Sequence, residues 1–240
     1  MNIKSLLLIA LCVVGIGATT SQGFAVPFFA DTSKQAVFLS PLERWMPTWR
    51  LESYLSLVER AGYSVDVLLN ENASISFLKS GLAKYDLIIL RTDSFEKEGL
   101  NYFCAGDAAD FQARAEFAGD ISLHEVAVGA CVGFNILFLK HYYTADTLKP
   151  GLVYVLGSAS AELSSAFLSA GAAAFIGYEE AQSIQWGRMD CYSQKLFWYL
   201  SQGYSVLDSV IELYIYVHMG HGVSADWVMP YWCGDGTLKI

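Results

Sequence analysis

The run Leu152-Val-Tyr-Val-Leu156 holds five apolar residues with no polar interruption, and it constrains the fold more than any other stretch. A strand with one face on water alternates, whereas an unbroken run fits a strand buried on both faces of a parallel sheet. Gly157-Ser158-Ala159-Ser160 follows as a turn of small residues. Residues 161–170 then carry apolar side chains at helical spacing, Gly171 closes that helix, and residues 173–177 open another apolar strand. The unit reads as βαβ, with its tightest turn at the carboxyl end of the first strand. Open α/β sheets carry their chemistry at that edge, so Ser158 stands where a nucleophile is expected.

The preceding chain repeats the same rhythm. Residues 36–40 form a short apolar strand ending at Pro41, and residues 49–61 a helix with Leu51, Tyr54, Leu55 and Val58 on one face, stopped at Gly62. Residues 63–69 alternate as a second strand, residues 74–82 form a short helix with Ser74 as its cap, and residues 86–90 a third, fully apolar strand. The order β-α-β-α-β predicts a three-layer α/β domain with a mainly parallel sheet. Residues 101–135 break the rhythm with short segments between Gly and Asp, a β-rich excursion. After the central unit come a long aromatic helix over 183–201 stopped at Gly203, and a further helix opened by Ser205 and Asp208. Residues 227–232 and 237–240 read as terminal strands around Gly234-Asp235-Gly236.

The 240 residues suffice for a full core, and the net charge of −9 excludes nucleic acid or an anionic membrane surface as a natural partner. Residues 1–25 have a charged start at Lys4, an apolar stretch over 6–16 and Gly23-Phe24-Ala25 at the end, the pattern of a cleaved secretory signal. The alternative is an N-terminal membrane anchor, although the stretch is shorter than the ~20 residues of a spanning helix. Export is the expectation, placing the domain over residues 26–240. Cys104, Cys131, Cys191 and Cys233 would then permit two disulfides, in three possible pairings. None has C-x-x-C spacing, so no structural zinc is expected.

Five stretches together carry a resemblance. They are Tyr85-Asp-Leu-Ile-Ile-Leu-Arg-Thr-Asp93, Val153-Tyr-Val-Leu-Gly-Ser-Ala-Ser160, residues 163–178, residues 200–208 and Gly234-Asp235-Gly236-Thr-Leu238. In this order they resemble the caspase-like group of cysteine peptidases, nearest to its gingipain and CHAT-type members, over residues 35–240. The resemblance implies a caspase-like topology in which one strand delivers a histidine and another a cysteine. Here those positions fall on Asp93 and Ser158. The dyad needs an imidazole to take a thiol proton near neutral pH. Asp93, with an ordinary pKa of about 3.9, is a poor base for a hydroxyl. The resemblance therefore implies a catalytically degenerate member, a pseudo-peptidase that binds a peptide or protein segment and uses no cofactor.

Other candidates compete. Cys131 and His124, seven residues apart, could form a substitute dyad, giving an active cysteine- or serine-type hydrolase with Cys131 or Ser158 as nucleophile. Ser158, Asp208 and His221 follow the chain order of an α/β-hydrolase triad but lack the glycines of its elbow. His218 and His221 could begin a metal site, yet ordinary helix-end histidines are the better reading, so no metal is assigned. Glu179 and Glu180 follow the strand after the nucleophile position, where they and Ser160 would shape a binding pocket suited to a basic side chain. Phe197, Trp198, Tyr199, Tyr214 and Tyr216 are read as core and helix packing. A structural cell-surface domain is the third function class.

Overall fold

The computed structural model describes residues 34–108, 121–126, 129–179, 186–220 and 230–240. Ser33–Ile240 make one compact unit. Its main sheet joins β1 (Lys34–Ser40), β2 (Tyr63–Leu69), β3 (Leu87–Arg91), β8 (Leu152–Leu156), β9 (Ala174–Tyr178) and β10 (Pro230–Gly234). The order across it is β10-β9-β8-β3-β1-β2; β1, β2, β3, β8 and β9 run parallel, and β10 pairs antiparallel with β9. All five residues of β3, β8 and β9 are buried, as their unbroken apolar runs require.

Alternate residues of these strands feed two cores, one on each face. Val37, Leu39, Ile88, Leu90, Val153 and Val155 pack with α2 (Ile75–Ser80), α3 (Ile136–Tyr142) and α4 (Ser164–Ser169). Phe38, Ile89, Tyr154, Leu156 and Ile176 pack with α1 (Leu51–Arg60), α5 (Trp186–Ser201) and α6 (Val206–Gly220). The fold is thus the expected three-layer α/β arrangement. Local signals set the helix ends. Ser74 Oγ accepts from Phe77 N, Asn135 Oδ1 accepts from Leu137 N and Phe138 N, and Ser205 Oγ accepts from Asp208 N while donating to Asp208 Oδ2. Gly203, at φ 83°, ends α5 in the left-handed conformation that glycine adopts without a Cβ penalty.

The excursion is larger and more regular than the sequence suggests. It is a four-stranded antiparallel sheet ordered β4-β5-β7-β6, from β4 (Ser94–Lys97), β5 (Leu100–Ala108), β6 (Ile121–Val126) and β7 (Gly129–Phe134). Phe103 and Phe134 from it join the core on the α2–α4 face. Cys104 and Cys131 are joined by a disulfide, Cα to Cα 5.8 Å, while Cys191 and Cys233 are free thiols. One disulfide forms where the cysteine count permitted two.

One further expectation is corrected. Residues 237–240 are not a strand, because Asp235 Oδ1 accepts from Thr237 N and Thr237 Oγ1 and bends the chain into a turn. Of the five aromatic residues read as core and helix packing, Phe197 and Tyr199 are buried, whereas Trp198, Tyr214 and Tyr216 are 40%, 40% and 36% exposed and pack along the helix surface. Among the described residues no helix is long and apolar enough to cross a membrane. Residues 1–25, with the expected signal, lie outside the described residues, as do Glu180, His221 and residues 227–229.

Candidate functional site

The site begins with two neighbouring strand ends. β3 and β8 pair in parallel from Leu87↔Leu152 to Arg91↔Leu156, and Thr92 N extends the ladder by donating to Leu156 O at 2.9 Å. Both chains then leave the sheet at its carboxyl edge, one as Thr92-Asp93-Ser94 and the other as Gly157-Ser158-Ala159. Ser94 Oγ donates to the Ser158 carbonyl at 2.6 Å, tying the two loops together. Gly157 is required by this closeness: a Cβ there would lie 2.7 Å from the Thr92 carbonyl oxygen. Asp93 and Ser158, which the sequence placed as a pair, thus sit on adjacent loops at one edge.

Their environments differ. Ser158 is 7% exposed and precedes Ala159, whose φ of 54° turns the chain into the 3₁₀ turn Ser160–Leu163 ahead of α4. Asp93 is half-buried; its Oδ1 accepts from Ser94 N at 2.9 Å, and its carbonyl accepts from Cys104 N at 3.0 Å. Thr92 Oγ1 donates to Cys104 O at 2.7 Å. The excursion's disulfide strand is therefore hydrogen-bonded directly to the Asp93 loop. A hydroxyl and a carboxylate on these loops supply hydrogen-bond donors and acceptors.

The other candidates separate. Ser160 is fully buried, its Oγ donating to Val155 O at 2.9 Å and accepting from Tyr178 N at 3.0 Å. It pins β8 to the end of β9, with backbone groups of both strands as its partners. Glu179 is exposed directly after β9. Cys131 is bonded to Cys104 and buried, so its sulfur is not a nucleophile in this state, although His124 is its cross-strand partner in the β6–β7 ladder. Asp208 is engaged with Ser205 at the start of α6. Among the described residues no three metal-ligating side chains converge.

A buried ion pair at this edge left no mark that sequence reasoning found. Arg91, the last residue of β3, donates from Nε to Asp190 Oδ1 at 2.8 Å and from Nη2 to Oδ2 at 3.1 Å, with both residues 1% exposed. Its Nη1 donates to Met46 O at 2.6 Å, Trp49 N donates to Asp190 Oδ2 at 2.9 Å, and the guanidinium lies over the Trp186 ring at 4.6 Å. One ion pair thus fastens β3, the loop after β1 and α5 just beneath the Asp93 loop. Beside it Tyr178 Oη, Tyr154 Oη and Ser193 Oγ form a chain at 3.0 and 2.5 Å, and Ser193 Oγ donates onward to Met189 O. Burial holds the phenols of Tyr54 and Tyr178 well above their ordinary pKa and lifts that of Tyr154 to about 12. The available signal was slight: an arginine closing an apolar strand, and a single aspartate inside an aromatic helix.

No protein-family model matches this chain, and no curated protein sequence does. Among solved structures, the Drosophila initiator caspase Dronc is similar to it with a TM-score of 0.43 and 10% identity, over 85% of this chain and 80% of that one.

Proposed function

We propose that the chain is an exported, caspase-like domain that has lost its catalytic dyad and binds an extended peptide segment at the carboxyl edge of its sheet. The observation that carries this reading is the tie between the two loops, Ser94 Oγ to Ser158 O at 2.6 Å, which keeps Asp93 and Ser158 together where an imidazole and a thiol would have to meet. On this reading Asp93 and Ser158 stand in for the reactive pair, and a carboxylate beside a hydroxyl can hold peptide N–H groups. The Cys104–Cys131 disulfide supports export, since such bonds persist in oxidising compartments.

The test uses peptide probes carrying thiol- or serine-directed warheads on the purified full chain. The expected result is no labelling of the native protein, with labelling by the thiol-directed probe gained in the double variant Asp93→His, Ser158→Cys. Labelling of the native protein that is lost in Ser158→Ala would instead make it an active hydrolase. A folded double variant that never labels, and a native chain that binds no peptide, would favour a structural role. Fractionation of cells expressing the full chain checks export, with the protein expected outside the cytoplasm.

A further inference from the structure

Among the described residues, six of the ten large hydrophobic side chains that are exposed lie on α5, α6 and the turn between them: Trp198, Tyr204, Ile211, Tyr214, Ile215 and Tyr216. Helix α6 buries Val206, Val210, Leu213 and Val217 against the sheet, yet it is apolar on its outer side as well. A helix apolar all round is normally covered all round. The outer faces of the two helices meet at Lys195, whose Nζ lies 3.9 Å from the Trp198 ring centroid, 4.7 Å from that of Tyr199 and 5.1 Å from that of Tyr216. Glu212 lies on the same side, close enough to Tyr199 for its charge to help raise that phenol's pKa, after burial as the main cause.

We infer that this α5–α6 face is the interface of a two-fold homodimer. At exposures of 36–45% the six side chains present roughly 500 Å², taking about 200 Å² for each full side chain. That is about what the apolar part of a standard interface of ~800 Å² per partner requires. The patch also matches itself in charge, because a two-fold axis can bring Lys195 of one copy to Glu212 of the other. A lipid surface is a poorer fit for a chain of net charge −9.

Light scattering coupled to size exclusion, on the full chain at about 50 µM, reads the outcome directly, since that concentration populates any dimer of micromolar Kd. The expected mass is twice that of the chain, falling to the monomer in Ile211→Glu, Ile215→Glu with an unchanged far-ultraviolet circular dichroism spectrum. Lys195→Glu should weaken association by about tenfold or more, and adding Glu212→Lys should recover it. A monomeric native chain, or a dimer that survives Ile211→Glu, Ile215→Glu, would overturn the inference. So would a monomer that co-sediments with phosphatidylcholine vesicles, which would make the patch a membrane contact.

Discussion

The two faces of the main sheet are built from the same strands and yet solve different problems. The face under α2, α3 and α4 takes Leu90 and packs it among Val37, Val155, Phe138 and Phe167. The opposite face takes the next residue, Arg91, and spends it on Asp190 from α5. Apolar side chains of similar volume can repack in several ways. A bidentate guanidinium–carboxylate pair has one good geometry. The second face therefore fixes where α5 and the loop after β1 stand relative to the β3 end, and with it the floor beneath Asp93.

Breaking the ion pair from one side should have the largest effect. Asp190→Ala leaves the Arg91 charge buried and unpaired, and we expect a loss of about 3–5 kcal/mol in denaturant unfolding. Replacing both partners, Arg91→Met with Asp190→Leu, should restore most of that stability. A double variant as weak as the single one would mean that the pair contributes energy and not only geometry, and the contrast between the faces would fail. On the apolar face Leu90→Ala should cost about 3 kcal/mol through lost burial and a residual cavity, and no single compensating change should restore it.

The smallest effect is specific to alkaline solution. Burial raises the folded pKa of Tyr54, Tyr154 and Tyr178 above the ordinary value. A phenol of this kind keeps its proton in the folded chain while the unfolded chain gives it up. Its contribution is complete below about pH 10 and is lost as pH rises through 10 toward the folded value, about 12 for Tyr154. Unfolding midpoints measured between about pH 8 and about pH 11 should therefore fall, and Tyr178→Phe should reduce that fall by about 1.4 kcal/mol per pH unit above 10. A native chain with a flat profile would show that these phenols are not protected.

What could be read from sequence was whatever repeats locally. The apolar runs of β3, β8 and β9, the caps at Ser74 and Ser205 and the stop at Gly203 act within a few residues of themselves, so spacing reveals them. The adjacency of the Asp93 and Ser158 loops was implied only by the resemblance to the caspase-like group, since no local pattern says that β8 pairs with β3. The Arg91–Asp190 pair spans 99 residues and leaves no local pattern. The exposure of Trp198, Tyr214 and Tyr216 was not legible, because aromatic residues in a helix are usually covered, and nothing nearby marks which side faces out. The role of Ser160 in joining two strand ends left no local pattern either, because its partners Val155 O and Tyr178 N come from different strands.

The Cys104–Cys131 bond has a consequence for the connectivity of the chain. It closes a covalent ring across a separation of 27 residues, with the Asp93 loop hydrogen-bonded to one side of the closure. A protease cutting anywhere inside that ring would not release a fragment. The severed ends would stay one molecule, running as a single band without reductant and as two pieces with it.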